Sequence, residues 1–174
     1  MGLSIAISGG IITFAIIYVM MSFPAILDGT AKLSTSSQQM SNTLNTIMHT
    51  NISISSLTNS HDADLATFSV TNTGNTILWN FKEFDAIITY QANTVGTPTL
   101  TEVLHYANNC GTLASGQWCI QSISNDLIHP GILDPKEIAN IHAKLQNPTN
   151  LNSTLTLNFG TDNGVTDTSS VRTS

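Results

Sequence analysis

No charged side chain occurs from Leu3 to Leu27, and Asp28 is the first charge along the chain. Ile, Val, Phe, Met and Ala fill the run, as in Ile11-Ile12-Thr13-Phe14-Ala15-Ile16-Ile17. As a helix rising roughly 1.5 Å per residue, it outreaches the roughly 30 Å hydrocarbon core of a bilayer. Leu, Ile, Phe and Val near the centre of an inserted helix contribute about −0.3 to −0.6 kcal/mol each, and no charge opposes them. A cleaved secretory signal would need a basic n-region and a short apolar run ending at a small-x-small site. No Lys or Arg precedes this run, and Ala25-Ile26-Leu27-Asp28-Gly29 is a poor cleavage site. The segment 1–27 is therefore read as a retained transmembrane helix.

One face of that helix carries small residues. Ala6, Gly9, Gly10 and Thr13 include Ala6-x-x-x-Gly10, a spacing that lets a second helix approach closely. The other reading is that Gly and Ser are simply common in membrane helices. Pro24 follows near the end of the run, where a kink or a helix exit costs least. Residues 28–50 can continue as a helical stalk. Leu33, Met40 and Ile47 repeat every seven residues and Leu44 sits four beyond Met40. This is a narrow apolar stripe, suited to a seam against partner helices or to resting on the chain's own β domain. Ser34, Thr35, Ser36 and Ser37 weaken its first turns, since they favour caps over helix interiors.

Charge and composition limit the rest. The 174 residues carry a formal net charge of −6 with only five Lys plus Arg. No basic patch is available to neutralise phosphates, which argues against a nucleic-acid partner. Charged residues make up 9% of the chain, far below the usual quarter, and Ser, Thr and Asn supply the polarity instead. Those polar residues alternate with apolar ones, as in an ordered secreted or cell-surface β domain. Cys110 and Cys119 would close a small disulfide loop in an oxidising compartment; the alternative is two free buried thiols. No C-x-x-C or nearby Cys/His pair points to a metal. Asn51-Ile52-Ser53 and Asn152-Ser153-Thr154 are possible glycosylation sequons.

Beyond Asn51 the apolar period switches to two. Ile52 and Ile54 alternate with polar residues, as do Phe68 and Val70 before Thr71-Asn72-Thr73-Gly74-Asn75. Further strands are expected over 85–90, 101–106, 117–123, 138–145, 151–159 and 165–171. Asn163-Gly164 predicts a type I′ hairpin turn. Short strands at roughly ten-residue spacing predict an immunoglobulin-like β-sandwich over 51–174. The fold class is mainly β with one long N-terminal α-helix. Strands 85–90 and 151–159 carry few charges to block edge pairing, so a homo-oligomer is expected.

Chemistry is sparse. His61-Asp62-Ala63-Asp64 lies in a Ser/Asn-rich stretch and reads as a solvated loop. His49, His105, His129 and His142 form no spacing suited to metal binding or acid–base work. No G-x-S-x-G elbow, phosphate-binding Gly loop or H-E-x-x-H occurs. No enzyme activity, cofactor or metal is expected.

The layout and three stretches together resemble the archaeal flagellin superfamily. The stretches are Gly9-Gly10-Ile11-Ile12, Phe68-x-Val70-x-Asn72-x-Gly74, and Leu78-Trp79-Asn80-Phe81 with Phe84 to Tyr90. Within it, the chain is similar to the archaellum accessory proteins F and G of ammonia-oxidising archaea. That resemblance implies a helix in the cytoplasmic membrane and a sandwich outside it. It implies a stator role in swimming motility, with membrane lipid, a surface-layer protein and other archaellum subunits as partners. Filament archaellins usually carry a basic leader ending in Lys/Arg-Gly, whereas here Met1-Gly2 begins directly, which favours the accessory role over the filament subunit. A membrane-tethered extracellular binding or sensor domain is the reading from a different class.

Overall fold

Helix α1 runs from Gly2 to His49 in the computed structural model, which describes residues 2–59, 63–126 and 128–174. Side chains along α1 are described at 9–24 and from 27 onward. The helix passes through Pro24 and through Ser34 to Ser37 without a break. Several of its hydroxyls bond back into the helix. Thr13 Oγ1 donates to Gly9 O at 2.8 Å, Thr35 Oγ1 to Ala31 O at 3.0 Å and Thr43 Oγ1 to Gln39 O at 3.0 Å. Bonding back to the preceding turn satisfies these donors inside the helix and removes their competition with it. Lys32 and Asp28 add an exposed i,i+4 ion pair at 2.8 Å, worth a few tenths of a kcal/mol at about 0.2–0.5.

The chain divides into two compact units, Met1–Asn45 and Thr46–Ser174. The last turn of α1 thus belongs to the second unit, whose remainder is eight strands. These are β1 (Ile52–Asn59), β2 (Leu65–Asn72), β3 (Asp85–Gln91), β4 (Thr99–Tyr106), β5 (Gln117–Ser124), β6 (Ile138–Lys144), β7 (Thr154–Gly160) and β8 (Thr166–Arg172). Their order is β1-β2-β6-β5-β4-β3-β7-β8. All neighbours are antiparallel except β4 and β5, which run parallel over just His105↔Gln117 and Tyr106↔Trp118. At that short junction the sheet folds over into a sandwich.

Alternation builds the core. Ala66, Phe68, Val70 and Asn72 on β2, Ala139, Ile141 and Ala143 on β6, and Leu155, Leu157 and Phe159 on β7 are all buried. Each set recurs every second residue, as the pleat requires. Trp118 sits at the centre with no exposed surface, its ring edge-on to Tyr106 at 4.9 Å and to Phe159 at 5.3 Å. Such offset and edge-on pairs add about 0.5–1.5 kcal/mol each beyond area burial.

Two sequence expectations change here. Strands 85–90 and 151–159 are not edges: β3 lies between β4 and β7, and β7 between β3 and β8. The sheet ends instead at β1 and β8. The hairpin at Asn163-Gly164 is not type I′, because Gly164 alone has a positive φ there, at +84°. Gly164 N donates to Thr161 O, and Thr161 N to Val165 O, each at 2.9 Å. A three-residue loop of this kind needs only one left-handed residue, and Asn163 is released to bond elsewhere.

Candidate functional site

The helix offers surface rather than chemistry. A Cβ built on Gly9 or Gly10 would meet nothing within 4 Å, so this face is open at backbone level. Thr13 lies on it with its hydroxyl already bound to Gly9 O; the side chain of Ala6 falls outside the described residues. Along the stalk Leu33, Met40 and Leu44 are exposed and Ile47 is half-buried. Among the described residues, this one helix is long and apolar enough to cross a membrane.

At its C-terminus the helix is held by two loops of the domain. His49 O accepts from Asn75 N at 2.8 Å and from Thr76 N at 3.2 Å, and Asn51 O accepts from Thr73 N and Gly74 N at 3.0 Å. Helix ends leave carbonyls without intrahelical partners, and here the loop after β2 supplies them. Asn72, wholly buried, braces that loop: its Nδ2 donates to Thr76 O at 2.8 Å and to Leu133 O at 3.0 Å. From the β7–β8 hairpin, Asn163 Nδ2 donates to Thr50 Oγ1 at 2.7 Å.

Cys110 and Cys119 are joined in a disulfide with their Cα atoms 5.5 Å apart. It ties the short 3-10 turn Cys110–Thr112 to β5, beside Trp118. Asn51 and Asn152 are both exposed, Asn152 in a left-handed turn at φ +56°. His61 and Asp62 fall outside the described residues. His129 Nδ1 lies 2.9 Å from Asp134 Oδ2. Among the described residues no three His, Cys, Asp or Glu side chains converge to hold a metal ion.

Residues that sequence reasoning passed over organise the end of the domain away from the helix. Glu102, on β4, is buried at an inward position of the strand. Tyr90 Oη donates to its Oε1 at 2.5 Å, and Gln146 N donates to its Oε2 at 3.1 Å. Asn147 N in turn donates to Tyr90 Oη at 3.2 Å. Thr149 Oγ1 donates to Asn59 Oδ1, both residues buried. Burial pushes the Tyr90 hydroxyl above its ordinary pKa, and its bond to Glu102 adds to the shift. One sign of this network was present in the sequence: Glu102 occupies the same alternate register as Leu100 and Leu104, where a lone charge is out of place.

Among the described residues the polar side chains brace loops and the helix end, and the comparisons point to a structural role. A family profile described as "Conserved flagellar protein F, immunoglobulin-like domain" matches residues 45–168. The chain belongs to that family. It is an archaellum-related structural component and not an enzyme. No match is found among curated proteins. The archaellum periplasmic stator protein FlaG from Sulfolobus acidocaldarius shares 19% identity, with TM-score 0.50, over 70% of this chain and 99% of its own. The stator complex of FlaF and FlaG from the same organism matches at 19% identity and TM-score 0.50, covering 69% of this chain and 87% of the other. The archaeal flagellum of Methanospirillum hungatei strain JF1 matches at 13% identity and TM-score 0.57, over 97% of this chain and 93% of its own. The two stator structures match about 70% of this chain, whereas the Methanospirillum likeness extends over nearly all of it.

Proposed function

We propose that this flagellar protein F family member is a membrane-anchored stator of the archaellum. Segment 1–27 spans the cytoplasmic membrane, 28–50 forms a stalk, and 51–174 lies outside the cell and binds the surface layer. A torque-bearing anchor needs two attachments, and the observation that carries the reading is that this chain offers both. It has one long helix whose apolar first part carries no charged side chain from Leu3 to Leu27 and, after it, a disulfide-bonded domain with its own core. The disulfide suits an oxidising, extracytoplasmic location. Other archaellum subunits are partners under this reading, as FlaF and FlaG are of each other in the solved complex, and a homo-oligomer is expected.

The test uses full-length protein in detergent and isolated surface layer. Saturable co-sedimentation, with the domain digested by external protease on intact wall-stripped cells, is the expected result. A second reading is a filament subunit, favoured by the likeness to the Methanospirillum flagellum across 97% of the chain. In that case the Gly9/Gly10 face and the Leu33, Met40, Leu44 and Ile47 stripe pack helix on helix. Recovery of the protein in sheared filaments, without surface-layer binding, selects that reading.

A further inference from the structure

Asn152 opens the sequence Asn152-Ser153-Thr154 with an amide that the fold does not use. Among the described residues its side chain has no hydrogen-bond partner, whereas the amides of Asn59, Asn72, Asn140 and Asn163 all brace the domain. The backbone around it is fixed. Asn152 N donates to Thr173 O at 3.1 Å and Asn152 O accepts from Arg172 Nε at 3.2 Å, in a left-handed turn at φ +56°. Asn adopts that conformation more readily than most residues. Ser153 is buried, its hydroxyl donating to Asn150 O at 2.8 Å, while Asn152 and Thr154 on either side are exposed. The amide and the hydroxyl two positions on are therefore both accessible, and the residue between them holds the turn.

Beside these two groups lies an open groove of about 420 Å³, lined by Asn152, Thr154, Thr156, Thr89, Gln91 and Thr99. Strand register extends its hydroxyls into one row, Thr101, Thr89, Thr156 and Ser170, across β4, β3, β7 and β8. Thr89 Oγ1 bonds Thr101 Oγ1 at 2.9 Å, and Thr156 Oγ1 bonds Ser170 Oγ at 3.0 Å. A hydroxyl has one donor and two acceptor sites, so each pair keeps capacity for the hydroxyls of a sugar. The second Asn-x-Ser/Thr sequence, Asn51-Ile52-Ser53, is placed differently. Asn51 O accepts from Thr73 N and Gly74 N, so that residue closes the joint between helix and domain. Asn59, seven positions along β1 from Ile52, holds Thr149. At roughly 3.3 Å per residue this places the loop leading to Asn152 about 23 Å from that joint.

We propose that Asn152 is a glycosylation site that carries an N-linked glycan. The inference rests on the placement of 51–174 outside the cell in the reading above. The donor is a glycan held on a lipid phosphate. Asn152 Nδ2 attacks the anomeric carbon of its first sugar, and the C–N bond forms as the C–O bond to phosphate breaks. The lipid phosphate leaves with the bonding electron pair, and the amide nitrogen gives up one proton to a base of the transferase. Thr154 supplies the hydroxyl by which the acceptor is recognised. The attached glycan, bulky and solubilising, shields the end of the domain away from the helix.

The experiment takes full-length protein from the membranes of the cells that make it, digests it with trypsin and reads the peptides by tandem mass spectrometry. Cleavage after Lys32, Lys82, Lys144 and Arg172 puts Asn51 and Asn152 on separate peptides, 33–82 and 145–172. The expected result is a 145–172 peptide heavier by a glycan, with sugar fragment ions and the added mass on Asn152. Thr154→Ala, which leaves Asn152 in place, is expected to return the peptide to its unmodified mass, and Thr154→Ser to keep the glycan. Unchanged melting shows that both variants fold. A glycan that persists in Thr154→Ala, or that sits on the 33–82 peptide alone, overturns the site. An unmodified 145–172 peptide from a domain that external protease digests on wall-stripped cells also overturns it, and leaves the stator reading standing. An unmodified peptide from a domain shielded from that protease overturns both.

Discussion

The backbone N–H of Ile54 donates to Asp167 Oδ2 at 2.7 Å, joining β1 to β8 where no ladder bond does. These strands are the two ends of the sheet order, so one carboxylate bridges the gap between them. Asp167 Oδ1 also accepts from Thr168 N at 2.8 Å, which fixes the side chain for this role. A charge turned onto an edge strand also discourages pairing with another chain.

Asp167→Ala therefore removes a charge-assisted bond and exposes the Ile54 donor. The expected loss is about 1.5–3 kcal/mol in urea unfolding, with sedimentation showing stronger self-association. Asp167→Asn keeps an acceptor at the same reach and should lose less. An alanine variant as stable and as dispersed as wild type would show that the seam does not depend on this residue.

Gly74 is tied to the helix end by space rather than by torsion. A Cβ there would lie 2.5 Å from both His49 O and Asn51 N, two backbone atoms that cannot move as a side chain can. Gly74→Ala is expected to displace the loop that accepts the helix terminus, at about 2 kcal/mol or more. Hydrogen exchange at Asn75 and Thr76, which bond to His49 O, should speed before the core opens. Asn163→Ala, which removes the bond to Thr50 and the oxygen that accepts from Thr161 Oγ1, should cost about 1–2 kcal/mol.

Local patterns were legible in the sequence, and non-local ones were not. Strand positions followed from alternation, since Phe68/Val70 and Leu155/Leu157/Phe159 each show the period of a half-buried strand. Strand order did not, because it depends on pairings between residues far apart, such as Ile87 with Asn158. This is why 85–90 and 151–159 read as free edges. Asn163-Gly164 announced a turn, but loop length, set by the Thr161–Val165 pair, decided its type. The roles of the buried polar side chains Asn59, Asn72 and Glu102 were hidden for the same reason, Glu102 showing only as a charge in an apolar register: their partners Thr149, Leu133 and Gln146 lie 44 to 90 positions away.

The Cys110–Cys119 bond closes a short loop next to the weakest part of the sheet, the two-residue parallel pairing of β4 with β5. In the chain-entropy model such a loop contributes up to about 2–3 kcal/mol. Cys110→Ser with Cys119→Ser should lower the melting temperature without loss of the fold. Alkylation of the intact wild type should leave its mass unchanged until reductant and denaturant are both present, since Cys119 is buried.

Alkaline titration isolates the Tyr90–Glu102 network. Tyr90 is pushed above its ordinary value of about 10 by burial and by its bond to Glu102. Below that value the hydroxyl is protonated whether the chain is folded or not, so stability there is independent of this group. Above it the unfolded chain releases the proton first, and stability falls as pH rises. Tyr106, also raised by burial, contributes a second fall in the same range. Tyr90→Phe removes the first contribution but leaves Glu102 and Asn147 N without their hydroxyl partner, at about 1–3 kcal/mol near neutral pH. Unfolding by urea at steps from pH 7 to 11 should therefore show wild type well above the variant at first. The two should converge above pH 10, and a constant gap across that range would show that the Tyr90 proton is not held by the fold.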